Sequence, residues 1–155
     1  IRLGKEGEEV PGLDGRFELG ASTVLDRGED LALIALGSAA AQALAAAAAL
    51  RERGIEATVA VVSTLGRDPD PVLTEIVDRV PLALTVEAGY RTGGLGSAVA
   101  EIVAERGAAC RVVRCGVEAM PHGISGSRAY LDDRFGISAD RVLEAALEAA
   151  SVTAR

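Results

Sequence analysis

The 155-residue sequence predicts an α/β sandwich with a mostly parallel sheet, and three observations favour this fold class. Four short apolar runs have the composition of strands that are buried on both faces. Helical segments alternate with these runs, and such alternation is typical of a parallel sheet with helices on both faces. Glycine and proline lie between the segments, where turns are expected. The four strands are predicted at residues 31–37, 55–63, 82–88 and 110–116.

The ends of the predicted helices are marked by residues that favour helix termini. Ser38 and Ser138 can cap the first and last helices through their hydroxyl groups. Gly54 follows the first helix, at a place where a left-handed residue commonly ends a helix. Pro71 suits the first position of the second helix, and Pro81 ends it. The helices are predicted at residues 39–53, 71–80, 95–107, 128–135 and 139–151.

A fifth, short strand is predicted at residues 17–19. Its connection to the next strand is tight, so we expect it to pair antiparallel at one edge of the sheet. Residues 1–15 are polar, with four glycines and one proline, and the chain starts with Ile, Arg and Leu rather than Met. We therefore expect a piece of a longer polypeptide, with residues 1–15 as the end of a preceding domain and a linker, and residues 16–155 as one domain.

Composition and charge argue against several classes of protein. The formal charge of −7, with no cluster of Lys and Arg, argues against a nucleic-acid surface. No apolar run approaches the roughly 20 residues of a membrane span. Cys110 and Cys115 are five residues apart, so in a strand they point to opposite faces and cannot form a disulfide. Because no signal peptide is recognisable either, we expect reduced thiols in a cytoplasmic protein.

A glycine-rich turn between the third buried strand and its helix invites comparison with nucleotide-binding loops. Its sequence, GGLG, does not have the G-x-G-x-x-G spacing of a dinucleotide site, nor does it follow the first strand. No phosphate-binding loop of the form G-x-x-x-x-G-K-[ST] occurs in the sequence. We therefore favour a structural and interface-forming turn, in which Gly93 and Gly94 permit positive φ and Gly96 lets the helix approach the sheet.

Two further residues are candidates for a functional role. Glu87 ends a buried strand at the carboxyl edge of the sheet, and we expect its carboxylate to accept hydrogen bonds from amides of the turn that follows. His122 is the only histidine, so a histidine-rich metal site is excluded. Ser125, Ser127 and Asp132 lie near it, but no G-x-S-x-G motif supports a catalytic triad. We interpret His122 as a loop or interface residue, and we assign no catalytic residue and no metal ligand.

Several segments together resemble the C-terminal domain of transketolase-like thiamine-diphosphate enzymes. The opening IRLGK resembles the last strand of the preceding pyrimidine-binding domain in that family. The resemblance covers nearly the whole chain and implies a three-layer α/β/α sandwich with one antiparallel edge strand. The segments are the strand-helix-strand sequence from residue 31 to 59, Thr85-Val86-Glu87, GGLGSAVAE at residues 93–101, and SGS followed by RFGISADRVLEAA between residues 125 and 150.

The resemblance also implies that the domains of the parent enzyme have different roles. In this family, thiamine diphosphate and Mg²⁺ lie between two other domains, so the C-terminal domain supports the dimer and is catalytically incomplete alone. The parent enzyme would transfer a two-carbon ketol unit between sugar phosphates, as a homodimer or with a partner N-terminal subunit. Lys5 falls where the family often carries an arginine that binds the substrate phosphate, and Arg2 is a nearby alternative.

Other functions remain open at this point. Ala88 stands where a second acid commonly follows Glu87, and GRDPDP replaces a more usual Pro-Leu-Asp turn, so the branch of the family is not fixed. The alternatives within the family are the β subunit of a 2-oxo-acid dehydrogenase decarboxylating component and 1-deoxy-xylulose-5-phosphate synthase. Outside it, a non-catalytic assembly module and a nucleotide-binding module are the remaining hypotheses.

Overall fold

A computed structural model of the chain describes residues 9–15, 18–66, 70–119 and 122–153. They form one five-stranded sheet in the order β1-β3-β2-β4-β5, in which β1 is antiparallel to β3 and all other neighbours are parallel. The strands are β1 (Thr23–Asp26), β2 (Leu31–Leu36), β3 (Ala57–Val62), β4 (Leu82–Tyr90) and β5 (Arg111–Val117). The helices are α1 (Ala40–Arg51), α2 (Pro71–Arg79), α3 (Leu95–Arg106), α4 (Arg128–Arg134) and α5 (Ala139–Thr153).

The sheet separates two apolar cores, as the predicted three-layer sandwich requires. Successive residues of the central strand β2 alternate between the two faces, because side chains of a strand point to opposite sides of the sheet. Leu31 and Leu33 pack with buried residues of α1 and α5, whereas Ala32 and Ile34 pack with those of α2 and α3. Residues 31–35 are all buried, which explains their continuous apolar sequence. The predicted fold class is confirmed.

The position predicted for the short edge strand is wrong. Glu18 and Leu19 are not in a strand, Leu19 is 77% exposed, and Phe17 lies outside the described residues. The edge strand is β1, which follows a few residues later and pairs antiparallel with β3, for example through Thr23 opposite Val61. The antiparallel orientation was predicted correctly. The β-branched pair of residues 23 and 24 fits a half-buried edge better than the polar segment around residue 18.

The helix termini agree with the sequence signals in part. Ser38 does not cap α1, because Gly37–Ala39 forms a 3₁₀ turn with no side-chain hydrogen bond at its start, and α1 begins at Ala40. Pro71 is the first residue of α2, as predicted, but the cap is Asp70, whose carboxylate accepts a hydrogen bond from the Val72 amide at 2.8 Å. Gly54 has a φ of +76°, as expected for a residue that follows a helix.

The two cysteines lie on opposite faces of the sheet, as predicted. Cys110 belongs to the core beside α2 and α3, and Cys115 to the core beside α1 and α5. Both thiols are free and buried. Burial raises the pKa of each thiol from 9.0 to about 11, although the nearby Arg91 guanidinium partly offsets this effect for Cys115.

The division of the chain at residue 15 stays a prediction. Residues 11–15 form turns that include two positive-φ glycines, Gly12 and Gly15, and residues 1–8 lie outside the described part. Among the helices that the structure describes, none is long and apolar enough to cross a membrane.

We predict that the protein loses stability above about pH 9 because of these two thiols. In the unfolded chain the thiols lose protons near their ordinary pKa of 9.0, whereas in the folded chain they keep them until about pH 11. The folded state therefore holds more protons in this window, and rising pH favours unfolding. Urea denaturation at pH 8 and pH 10 measures the loss. A Cys110→Ala, Cys115→Ala double variant should show a smaller decline, and an equal decline would contradict the prediction.

Candidate functional site

The carboxyl edge of the parallel strands is where α/β proteins commonly place functional groups. The chain leaves β2 toward β3 on one side and later reaches β4 on the other side, so the topological switch point lies between β2 and β4. Glu87 lies near the carboxyl end of β4, and the pairing of β4 with β5 becomes irregular between Val86 and Tyr90. The strand continues to Tyr90 and turns through residues 91–94 into α3.

The Glu87 side chain lies inside the protein against the start of α3. It is 1% exposed, and its Oε2 and Oε1 atoms accept hydrogen bonds of 2.9 Å from the amides of Leu95 and Gly96. The hydrogen bonds that we predicted thus exist, but their donors are the first two residues of α3 rather than residues of the preceding turn. Free amides at a helix N-terminus are the groups that would hold a phosphate. Here a carboxylate of the same chain takes them.

The glycines of the turn have different roles. Gly93 has a φ of +77°, as expected, whereas Gly94 has a φ of −97°, so the expectation of positive φ is wrong for Gly94. Position 94 has no space for a side chain, because a Cβ atom there would lie 2.8 Å from Cδ of Glu87. Gly96 permits close packing, since its Cβ would lie 2.7 Å from the Arg114 side chain and 2.8 Å from Oγ1 of Thr85.

The turn is also held by residues that the sequence analysis did not single out. Oγ of Ser97 accepts a hydrogen bond of 2.8 Å from the Gly93 amide. The Arg91 carbonyl accepts bonds from Oγ of Ser97 at 3.4 Å and from Nη1 of Arg114 at 3.1 Å. The Arg91 side chain forms an ion pair with Glu118. The sequence could have indicated the role of Ser97, because this serine lies three residues after the second glycine of the turn. Arg114 comes from β5, so only the folded sheet brings it to the turn.

The structure does not assemble a catalytic triad around His122. His122 is exposed and has a φ of +27°. Asp132 is buried and accepts hydrogen bonds of 2.8 and 3.0 Å from Nε of Arg128. Oγ of Ser127 accepts from the Tyr130 amide and caps α4. Asp132 and Ser127 therefore organise α4, and no group of three or more metal-ligating side chains occurs among the described residues.

The two residues predicted to bind the substrate phosphate, Lys5 and Arg2, lie outside the described residues. Their role stays a prediction. Ala88, which replaces the second acid of the family pattern, is exposed at the end of β4 beside the buried Glu87.

We predict that Glu87→Gln lowers the free energy of unfolding by about 1–3 kcal/mol. The glutamine amide group has one acceptor oxygen for the two amide donors of Leu95 and Gly96, so one buried donor loses its partner. Urea denaturation of the purified variant measures the change. Glu101→Gln is the matched control, because Glu101 is exposed on the same helix. Equal stability of both variants would show that the two buried hydrogen bonds contribute nothing.

We predict that Gly94→Ala destabilises the fold by about 1–3 kcal/mol, because the new methyl group would overlap the Glu87 carboxyl group. Gly89→Ala is a control from the same segment, since a Cβ there would lie 3.9 Å from Oε2 of Glu87, at ordinary contact distance. Thermal unfolding followed by circular dichroism compares the two variants. A Gly94→Ala variant as stable as Gly89→Ala would contradict the steric role of Gly94.

Comparison with known proteins shows the family of this chain. A family model described as "Transketolase, C-terminal domain" matches residues 20–142. An apulose-4-phosphate transketolase subunit of Actinobacillus succinogenes is 35% identical over 148 residues, which are 95% of this chain and 48% of that protein. A 1-deoxy-D-xylulose-5-phosphate synthase of Synechococcus sp. is 34% identical over 114 residues, or 72% of this chain and 18% of the synthase.

A solved structure supports the same assignment. A split-gene transketolase, described as an inactive β4 tetramer, superposes with a TM-score of 0.83 and 34% identity, covering 94% of this chain and 47% of the other. The chain thus spans about half the length of this structure and of the Actinobacillus relative. The family model, the relatives and the mixed sheet agree, and the chain belongs to the transketolase C-terminal domain family.

Proposed function

We propose that the chain is the C-terminal, dimer-supporting domain of a thiamine-diphosphate-dependent transketolase. The parent enzyme would transfer a two-carbon ketol unit between sugar phosphates. The observation that carries the proposal is the 35% identity to a transketolase subunit over 95% of the chain. The structure of a split-gene transketolase, matched over 94% of the chain, supports a subunit that is encoded separately.

The geometry of the carboxyl edge supports a positioning role for this domain. Glu87 holds the end of the turn after β4 through the Leu95 amide, and Ser97 and Arg114 form hydrogen bonds with residues of the turn itself. Tyr90, which is 49% exposed, stands at its start. A turn held in this way keeps its shape without a partner, so association costs little ordering entropy. We propose that this turn, with Gly93, Gly94 and Gly96, and the exposed His122 form a contact with another subunit.

Thiamine diphosphate and Mg²⁺ would be held mainly by other domains of the parent enzyme. The described residues do not form a site for the cofactor, because the Glu87 carboxylate already accepts hydrogen bonds from the α3 amides that could otherwise bind a diphosphate. They also lack a cluster of three metal-ligating side chains. The partner is either a second copy with its own preceding domains or an N-terminal subunit. We place the assembly in the cytoplasm, where reduced thiols such as Cys110 and Cys115 persist.

The substrate contact of this chain would come from its first residues. We propose that Lys5, with Arg2 as the alternative, binds the phosphate of the sugar substrate. A lysine offers a point charge and lacks the bidentate fork of arginine, so this contact would attract the phosphate with less geometric selection.

A second candidate within the family is 1-deoxy-xylulose-5-phosphate synthase. The observation that favours it is the 34% identity to the Synechococcus enzyme, which extends over 72% of this chain. The β subunit of a 2-oxo-acid dehydrogenase and a non-catalytic assembly module stay predictions.

Turnover by the native protein, purified from its own source with whatever subunits accompany it, tests the proposal. We expect thiamine-diphosphate-dependent release of glyceraldehyde 3-phosphate from xylulose 5-phosphate with ribose 5-phosphate as acceptor. Decarboxylation of pyruvate with glyceraldehyde 3-phosphate would instead indicate the synthase, and acyl transfer to an accompanying acyltransferase would indicate the dehydrogenase. No turnover in the presence of the cofactor would overturn the enzymatic proposals. Intact mass of the native chain separates a split subunit from a full-length enzyme.

A further inference from the structure

The strand β5 forms one free edge of the sheet. Its neighbour in the sheet is β4, and the two pair in regular register over five consecutive residues, 111–115. The other edge strand, β1, has four residues, and its register shifts within residues 24–26. Short and irregular edges resist pairing with another chain, whereas a long and regular edge favours it. Of the two edges, β5 is therefore the one that can accept a further strand.

The backbone groups on the free side of β5 belong to Val112 and Arg114. The Arg111 amide donates to the Pro81 carbonyl at 2.9 Å, so the backbone groups of residues 111, 113 and 115 face β4. The amides and carbonyls of Val112 and Arg114 face the other way, and none of them forms a hydrogen bond within the part of the chain that the structure describes. Four backbone groups are thus available to another strand.

The arginines of β5 leave this free side open. Charged side chains commonly protect the edge of a sheet, but here each guanidinium group is bound elsewhere. Nη1 of Arg111 donates to the Ala149 carbonyl at 3.2 Å, and Nη1 of Arg114 donates to the Arg91 carbonyl at 3.1 Å. The Arg114 side chain also lies against Gly96 of α3. Both arginine side chains therefore lie over the faces of their own sheet.

We propose that a second copy of this chain pairs with β5 through an antiparallel two-fold contact centred on Val113. Val112 of each copy then lies opposite Arg114 of the other, and these two pairs form four backbone hydrogen bonds. The two Val113 side chains, half-buried in the single chain, meet in a pair that is not hydrogen-bonded, where Cα atoms lie about 4.5 Å apart. A contact centred on Arg114 would place like charges directly opposite each other, which is unfavourable.

The charges beside β5 favour a second copy as the partner. The whole chain carries −7, so two copies repel each other over most of their surfaces. In the groove between β5 and α5, however, both signs of charge occur together. Arg91 pairs with Glu118 there, and Arg141 pairs with Glu144 at 3.0 Å and with Asp133 at 3.1 Å. A surface that carries both signs can be complementary to itself across a two-fold axis.

Two further charges at this groove suit the antiparallel arrangement. Arg134 and Glu148 line the groove, are exposed, and have no ion-pair partner among the described residues. Arg134 lies near the carboxyl edge of the sheet, because α5 begins there with the Ala139 amide bonded to Gln42 at 2.9 Å. Glu148 lies near the opposite edge, because the neighbouring Ala149 carbonyl contacts the first residue of β5. An antiparallel contact therefore brings Arg134 of each copy toward Glu148 of the other.

This contact differs from the one proposed for the turn after β4 and for His122. It runs along the side of the sheet, whereas that turn lies at the carboxyl edge. The pairing of β5 does not depend on which reaction the parent enzyme catalyses, so its failure would leave the proposed function unaffected.

Sedimentation velocity of the 155-residue chain over a range of concentrations tests for self-association. We expect a monomer–dimer equilibrium. Arg134→Glu and Glu148→Arg should each weaken dimerisation about tenfold, because two symmetry-related attractions become repulsions. The double variant, which exchanges the two charges, should restore the original affinity. Arg53→Glu is the matched control, because the exposed Arg53 lies just after α1 and donates to the Ala49 carbonyl.

A cross-link tests the register of the contact. Val113→Cys should give a disulfide-linked dimer on mild oxidation, because directly opposed residues of a pair that is not hydrogen-bonded lie close enough for a disulfide. Val112→Cys is the matched control, since Arg114 of the other copy would lie opposite it. The native thiols of Cys110 and Cys115 are buried, so the unmodified chain serves as the blank.

A chain that stays monomeric at every concentration would overturn the proposal. So would a dimer that neither charge variant weakens, or one in which Val112→Cys cross-links as readily as Val113→Cys, because the copies would then meet at another surface or in another register. Circular dichroism of each variant separates a loss of association from a loss of folding.

Discussion

A buried carboxylate at the start of a helix is the interaction on which the carboxyl edge of this domain depends. Glu87 points from the end of β4 into the first turn of α3 and accepts bonds from the Leu95 and Gly96 amides. The positive end of the helix dipole and two charge-assisted hydrogen bonds offset the cost of removing the charge from water. One side chain thereby fixes the distance between strand and helix, and with it the path of the turn between them.

The glycines near Glu87 follow from this arrangement. A carboxyl group between strand and helix leaves no space for a Cβ atom at Gly94, and Gly116 on β5 is also close, with its Cβ placed 3.1 Å from Cγ of Glu87. Gly96 allows α3 to lie against Thr85 and Arg114. The glycine-rich sequence thus resembles a phosphate-binding loop for a different reason: it makes room for a carboxylate of the protein itself.

The turn after β4 is also tied to the edge strand β5. The Arg91 carbonyl accepts a hydrogen bond from Nη1 of Arg114, and the Arg91 side chain pairs with Glu118, which directly follows β5. The path of the turn therefore depends on contacts with both α3 and β5.

The layers of this protein could be predicted from the sequence, because hydrophobic periodicity depends only on local geometry. The apolar runs indicated the buried strands, and the alternation of side chains along a strand placed Cys110 and Cys115 on opposite faces. The glycine at position 54 marked the end of a helix through its own backbone preference. The edge strand was misplaced, since a short, half-buried strand has almost no periodicity of its own. The amides that Glu87 contacts and the position of Arg114 emerged only in the folded chain, because those contacts join residues that strand order and register bring together.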